Sequence, residues 1–429
     1  MENMGLLELR FGTFEHSDIF RDEIILDKGY NPTKISEILH RKKEIEAYMR
    51  HLSKALKNIV PGNLFIYGKM GIGKTMVTKV LTSELEKEAA SCGVRVKTIY
   101  IHCKAVPTNV GIFRCINNSL GLETNSIKIK TANSFDAYFF KFCKIASEFK
   151  GVVIIILDEI DKLKDPDILN LLSRVKESGY LENNICVIGI TNDIRFDEKL
   201  DAKTKSILSE TVIIFPPYDA NQLRDILSQR AEAAFMPGVL EETVIPLCAA
   251  YAAQEHGDAR KALELLKISG NIAEERKDKT ITEKHVKVAL DRIENDKVTE
   301  LIHTLPTQSK IVLASCIINE SASVKSYTGE IYNRYKECCR QLGIEILTQH
   351  RIADLLSELS AVGLINALTI SKGRYGRSKE VSLAVTPKSA WGVIMDDYRL
   401  SSLENIAEIM KIERIKDTDI VQLNLRSFK

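Results

Sequence analysis

Across residues 63–217, short uninterrupted apolar runs alternate with segments whose apolar positions recur at helical spacing. The runs are NLFIY (63–67), VKTIYI (96–101), VVIIIL (152–157), ICVIGI (185–190) and TVIIF (211–215). A strand with one wet face alternates apolar and polar side chains, whereas a run without alternation belongs to a strand covered on both faces. The pattern predicts an α/β domain built on a five-stranded parallel sheet, with PPYD at 216–219 ending the last strand.

From residue 220 the strand signal gives way to amphipathic helical pattern. ANQLRDILSQRAEAAF, GDARKALELLKISGNIAEE and ITEKHVKVALDRIEN each carry one apolar stripe, with Thr282 as a candidate N-cap and EERKDKT (274–280) as a connection. After residue 297, helices are readable at about 299–318, 329–342 and 349–361. Two short strands, LINALTI and EVSLAV, then flank the tip SKGRYGRSK, which is the outline of a winged helix. The expected organisation is a tail (1–18), an α/β nucleotide-binding domain (19–219), a helical lid (220–297), a winged helix (298–400) and a C-terminal helical tail (401–429).

Composition narrows the class without naming a partner. The 429 residues are 45% hydrophobic and 28% charged, as in ordinary folded domains, and a net charge of +2 leaves room for a local basic patch. Nine cysteines without a C-x-x-C pair fit free thiols in a reducing cytoplasm better than disulfides or zinc. The first residues carry charges throughout, and no apolar run is long enough for a membrane span. A cytoplasmic protein with no membrane partner is expected.

The stretch GKMGIGKT (68–75) follows an apolar strand and opens a helix. Its spacing is that of a P-loop: glycines let backbone N–H groups turn around phosphate oxygens, Lys74 reaches the β/γ-phosphates, and the Thr75 hydroxyl ligates Mg²⁺. Lys69, Met70, Gly71, Ile72, Gly73, Lys74, Thr75 and Met76, together with Tyr218 after the last strand, are the candidate contacts for ATP or ADP. VVIIILDEIDKL supplies the acidic partner, with Asp158 beside the metal and Glu159 polarising the attacking water. An Asp-Glu pair behind a P-loop argues for an ATPase of the AAA+ kind. Asn192, ending the next strand, is an amide suited to orienting that water, and Arg260, opening a lid helix in GDARKAL, is placed to answer the γ-phosphate. Taken alone, Arg260 also fits a solvated arginine at a helix start.

In LTQHRIADLLSELSAVG, Thr348 is a candidate cap and Ile352, Leu355, Leu356 and Leu359 form one buried stripe. The opposite face opens with Gln349, His350 and Arg351 and turns acidic afterwards, so DNA contact is expected from the first turn alone. His350 equally fits a plain surface side chain. The hairpin carries Lys372, Arg374, Tyr375, Arg377 and Lys379 with no acid among them, which fits phosphate and groove contacts.

These motifs, in this order, resemble the archaeal replication initiators that combine the origin-recognition-complex subunit one and the cell-division-cycle protein six in one polypeptide. IFRDEIILDKGYNP, NLFIYGKMGIGKT, ILDEIDKL, GITND, FPPYDANQLRDIL, GDARKALELL and TGEIYNRYKECCRQLGIEILTQHRIADLLSELSAVGLI carry the resemblance, over about residues 19–398. It implies an AAA+ ATPase core with a lid and a winged helix that binds double-stranded origin DNA. It further implies helicase loading and assembly with other initiator copies or paralogues, on the nucleoid. The segment HRKKEI lies over adenine in that family, which brings in His40 and Arg41, and a DNA-contacting helical insert corresponds to about residues 105–130. One departure stands out. The family's LDPRVKSSL segment, whose arginine reaches a neighbouring subunit, is here LDAKTKSIL, with Lys203 and Lys205 and no arginine. An ammonium substitutes poorly at a bidentate phosphate contact.

The leading reading is an origin-binding initiator whose ATP or ADP state sets the angle between core and winged helix. A helicase-loading ATPase with little origin specificity remains open. So does a signalling or mobile-element ATPase whose winged helix binds protein.

Overall fold

A computed structural model describes residues 18–124, 134–175, 185–200, 205, 211–322, 326–371 and 377–403. They form two units, residues 1–289 and 290–429, with the boundary inside a helix.

The first unit is organised around a parallel sheet of β1 (Leu64–Tyr67), β2 (Val96–His102), β3 (Val152–Asp158), β4 (Ile185–Thr191) and β5 (Val212–Ile214), in the order β2-β3-β4-β1-β5. The central strand β3 is buried at every position, and its register sets Asp158 beside His102 of β2 and Ile190 of β4. The carboxyl ends of the strands thus converge where order and sequence part company, the usual crevice of an open α/β sheet. The edge strand β5 departs from the expected two-sided burial. Ile213 is buried, but Val212 and Ile214 are exposed, because the strand packs only one face inward.

The helices of this core are α1 (Lys42–Leu52), α2 (Lys74–Ser91), α3 (Asn109–Thr124), α4 (Phe135–Glu148) and α5 (Asp167–Arg174). Within the stretch expected to hold the insert, α3 turns Ile112, Phe113, Ile116 and Leu120 into the core. The Phe113 ring centroid lies 5.7, 5.5 and 5.3 Å from those of Phe135, Phe139 and Phe142 on α4.

Three lid helices follow, α6 (Ala220–Ala234), α7 (Val244–Gln254) and α8 (Ala259–Glu275). Helix α6 begins with a reciprocal capping box between Asp219 and Gln222. Helix α7, VIPLCAAYAAQ, escaped the sequence reading because it is apolar on most sides and so has no clean stripe. Residues 19–28 pack on these helices. Phe20 stacks on Phe235 at 4.9 Å, Lys267 on α8 holds both Glu23 and Asp27, and Lys28 pairs with Glu264.

Helix α9 (Glu283–Thr304) carries the boundary between the units. Thr282 occupies its N-cap position, and its N–H donates to His285 Nδ1 at 3.0 Å, the bond that the third helical residue makes in a capping box. The helix expected over 299–318 is two helices, because Pro306 cannot continue the first and instead opens α10 (Thr307–Ser321). The second unit adds α11 (Thr328–Leu342), α12 (Gln349–Ala361), the antiparallel hairpin β6 (Ile365–Ser371) and β7 (Arg377–Leu383), and α13 (Pro387–Met395). Helix α10 is buried on nearly every side. Thr348 caps α12 by accepting the Arg351 N–H, and Ile352, Leu355, Leu356 and Leu359 all reach the core.

Candidate functional site

The loop from Gly68 to Gly73 is forced out of regular structure by its glycines. Gly71 and Gly73 have φ of +72° and +91°, a region that side chains rarely adopt. A Cβ at Gly73 would stand 3.1 Å from the Tyr218 hydroxyl. Helix α2 starts at Lys74, so its N-terminal N–H groups and dipole face the loop.

Lys74 is buried, and its Nζ donates to the carbonyls of Gly68 and Lys69 at 2.6 Å each and to Asn192 Oδ1 at 2.8 Å. Burial pulls its pKa down to about 8, with the nearby Arg260 guanidinium adding to the fall while Asp158 opposes it. Two cations, one on the core and one on the lid, thus line the same cavity, with Asp158, Asp161 and Glu159 as their nearby counter-charges. The Thr75 hydroxyl donates to Asp158 Oδ2 at 2.6 Å, Tyr100 Oη donates to the same oxygen at 2.5 Å, and the Glu159 N–H donates to Oδ1 at 2.9 Å. Burial, and after it the Asp158 carboxylate, pushes the Tyr100 phenol far up, so it stays a donor. Glu159 itself has φ of +56°, a strained conformation for a residue with a side chain.

The lid closes this site from above. The Ala259 N–H donates to the Gly71 carbonyl at 3.2 Å, and the Asp258 carboxylate caps α8 by accepting the Arg260 N–H at 2.8 Å. A cavity of about 340 Å³ results, lined by Gly71, Ile72, Gly73, Lys74, Thr75, Met76, Asp158, Glu159, Asn192, Tyr218 and Arg260. Of the sequence candidates, these meet in one place. The others are placed differently. The Lys69 backbone touches Lys74 but its residue lines a separate apolar groove with Val212 and Ile214, and Met70 is exposed. His40 and Arg41 are outside the cavity lining, which instead takes Ile38 and Leu39. His40 pairs with Asp225 at 2.9 Å. Arg41 is fully buried, with its guanidinium 3.8 Å from the Tyr218 ring centroid and bonded to the Pro216 carbonyl at 2.8 Å. It supports Tyr218 from behind.

Sequence reasoning missed Lys79, Tyr100, Tyr30, Gln229 and Arg230, all on the cavity wall. Tyr100 was hidden as one more apolar-run residue. Arg230 lies 4.5 Å from the Tyr30 ring, a pairing across 200 residues of chain that no local pattern announces.

The donor set fits a magnesium–nucleotide pair. Thr75 and Asp158 offer the hard oxygens Mg²⁺ prefers, and the glycine loop leads into a helix N-terminus at Lys74, the kind of end that receives phosphate.

On the second unit, Gln349, His350 and Arg351 are exposed on the first turn of α12. Arg351 pairs with Glu358 at 3.3 Å and Asp354 at 3.9 Å, and His350 Nδ1 lies 3.5 Å from Asp354. Lys379 on β7 points its ammonium at α12, donating to the Ala353 carbonyl at 2.9 Å and to the Ser357 hydroxyl. It is a strut between wing and helix, unlike the open phosphate contact expected for it. Lys372, Arg374 and Tyr375, the side chain of Arg377, and Lys203 lie outside the described residues; Lys205 is exposed.

A P-loop sheet, a lid presenting an arginine and a winged helix together define an AAA+ ATPase with a DNA-binding type of module. Family models match in the same order: an AAA domain over residues 60–198, a Cdc6 AAA+ ATPase-type lid domain over 224–291, and the Cdc6 C-terminal winged helix domain over 300–391. The chain is 44% identical over 393 residues to the ORC1-type DNA replication protein of Pyrococcus abyssi, covering 91% of this chain and 93% of that one. It is 44% identical over 390 residues to the ORC1-type DNA replication protein 1 of Methanosarcina mazei, covering 90% and 92%. The solved Aeropyrum pernix ORC1 protein in complex with DNA superposes with a TM-score of 0.71 at 39% identity, over 90% of this chain and all of that one. The chain belongs to the ORC1/Cdc6-type family of DNA replication initiators.

Proposed function

We propose that this protein binds duplex DNA at replication origins, supports loading of the replicative helicase, and uses its ATP or ADP state as a slow conformational switch. The observation that carries the reading is the meeting of Arg260 on the lid with Lys74 on the core, in one cavity with Asp158, Glu159 and Asn192. When bound, ATP with Mg²⁺ supplies a transferable γ-phosphoryl group and the negative charge that this cationic pair takes up. Lys74 and Arg260 bind that charge from opposite sides, so the lid feels which nucleotide is present. Glu159 accepts the proton of the attacking water, and Asn192 orients that water. The DNA-bound state of the Aeropyrum pernix relative supports assigning duplex DNA to the winged helix, with Gln349, Arg351 and the basic wing as its contacts. Other copies or paralogues on the DNA complete the proposal, which places the protein on the nucleoid.

The test is nuclease footprinting across the genome with wild type beside Lys74→Ala. Discrete protected origins in the wild type that weaken or spread in Lys74→Ala are expected. Folded, nucleotide-loaded protein that protects no duplex at low ionic strength overturns the reading.

A further inference from the structure

The metal-side carboxylate is held by a group that the P-loop signature does not include. Strand β2 turns Ile99 and Ile101 into the core and Tyr100 and His102 to the opposite side, toward α2. Tyr100 Oη therefore reaches Asp158 Oδ2 from the β2 side at 2.5 Å, while Thr75 Oγ1 reaches the same oxygen from α2 at 2.6 Å. The third donor, the Glu159 N–H, fixes Oδ1. Each oxygen of the carboxylate is thus pinned, and Oδ2 is pinned from two directions.

The phenol is in turn held in place. Lys79, one helical turn beyond Thr75 on α2, sets its ammonium 4.5 Å from the Tyr100 ring centroid. Thr75 and Lys79 thereby grip Tyr100 and Asp158 from a single face of α2. A cation over the ring face also favours the phenol as a hydrogen-bond donor, since it draws electron density from the ring. A hydroxyl that donates to Asp158 still has its own lone pairs to offer, so Thr75, on the cavity wall, remains able to ligate a metal ion.

We propose that Tyr100 is a positioning residue for metal-dependent nucleotide binding, orienting Asp158 and through it the Thr75 hydroxyl, with Lys79 fixing the phenol. This deepens the nucleotide reading above and rests on it. Partners of metal-binding carboxylates commonly alter metal affinity by about 10–100-fold when removed. Tyr100→Phe deletes the hydroxyl and keeps the ring, so packing against α2 and the Lys79 contact survive.

The experiment titrates a fluorescent ATP analogue into wild type, Tyr100→Phe and Lys79→Met, once in EDTA and once across a Mg²⁺ series. Both variants are expected to lose more affinity in Mg²⁺ than in EDTA. The Mg²⁺ concentration giving half of the metal-dependent tightening is expected to rise about tenfold in Tyr100→Phe and by a smaller factor in Lys79→Met. An unchanged Mg²⁺ requirement in Tyr100→Phe overturns the proposal. So does an equal loss in EDTA and in Mg²⁺, which marks a structural role; a thermal melt of each variant without nucleotide identifies misfolding independently. Wild type that binds no nucleotide in either arm defeats the ATPase reading itself, a result distinct from failure of the Tyr100 assignment.

Discussion

The Ala259 N–H, in the first turn of a lid helix, donates to the carbonyl of Gly71 in the phosphate loop at 3.2 Å. The contact is close enough that any Cβ at Gly71 would fall inside the Asp258 carboxylate, and Gly71 adopts a φ of +72° that alanine disfavours by about 1–2 kcal/mol. Gly71→Ala is therefore expected to lift the lid from the loop and separate Arg260 from Lys74. ATP affinity should fall at least about tenfold, the factor that about 1.4 kcal/mol represents. Wild-type affinity by calorimetric titration would show that the lid contact does not shape the nucleotide site.

Glu159 stands at the end of the buried strand β3 with a left-handed φ of +56°, while its neighbour Asp158 is pinned by three donors. Both carboxylates line the cavity, but Asp158 is immobilised by its donors, and Glu159 is the one proposed as the base. Glu159→Gln should leave ATP binding within about twofold and reduce single-turnover hydrolysis by about 100-fold or more, the usual weight of a general base. Turnover at the wild-type rate would remove Glu159 from the catalytic role.

Lys310 and Asp397 form an ion pair at 3.0 Å in the second unit, with side chains only 7% and 9% exposed. The Arg399 guanidinium, then the Lys310 ammonium, hold the Asp397 carboxyl well below the usual carboxylate range. A depressed folded-state pKa contributes stability that is complete above the unfolded value, about pH 4, and is lost as pH falls further. The single tryptophan, Trp391, packs in this same unit and reports its unfolding. In urea titrations Asp397→Ala should cost about 3 kcal/mol at pH 7, because Lys310 is left buried without a counter-charge. Below pH 4 the gap between variant and wild type should narrow. A gap that stays constant with pH would mean the pair contributes packing and no charge.

Strands and phosphate loop were legible because each is written locally. Apolar runs without alternation gave the five strands, and the spacing from Gly68 to Thr75 gave the turn into α2. What stayed hidden depends on partners far along the chain. Tyr100 looks like one more position in VKTIYI until the register of β2 with β3 pairs it with Ile156, two residues before Asp158, and its hydroxyl reaches that carboxylate. Lys379 looks like one more wing cation until the hairpin folds it onto Ala353 and Ser357. Helix α7 failed for a different reason, since a helix apolar on most sides carries no period to detect. Val212 and Ile214 show the converse, two β-branched residues that advertise burial yet stand exposed on an edge strand.

The distinction between strut and contact in the wing can be measured. A lysine that neutralises a phosphate releases a counterion, so removing it lowers the slope of log affinity against log salt by about 0.9. Arg374, at the hairpin tip, is proposed to make such a contact, so Arg374→Ala should reduce the slope by about that amount on any duplex. Lys379 already gives its protons to the Ala353 carbonyl and the Ser357 hydroxyl, so Lys379→Met should leave the slope unchanged. Its effect should fall on the hairpin's attachment to α12, read as faster amide exchange in β7 and weaker DNA binding that does not vary with salt. Were Lys379→Met to lower the slope as Arg374→Ala does, its ammonium would have to leave Ser357 for a phosphate on binding, and the strut assignment would fail.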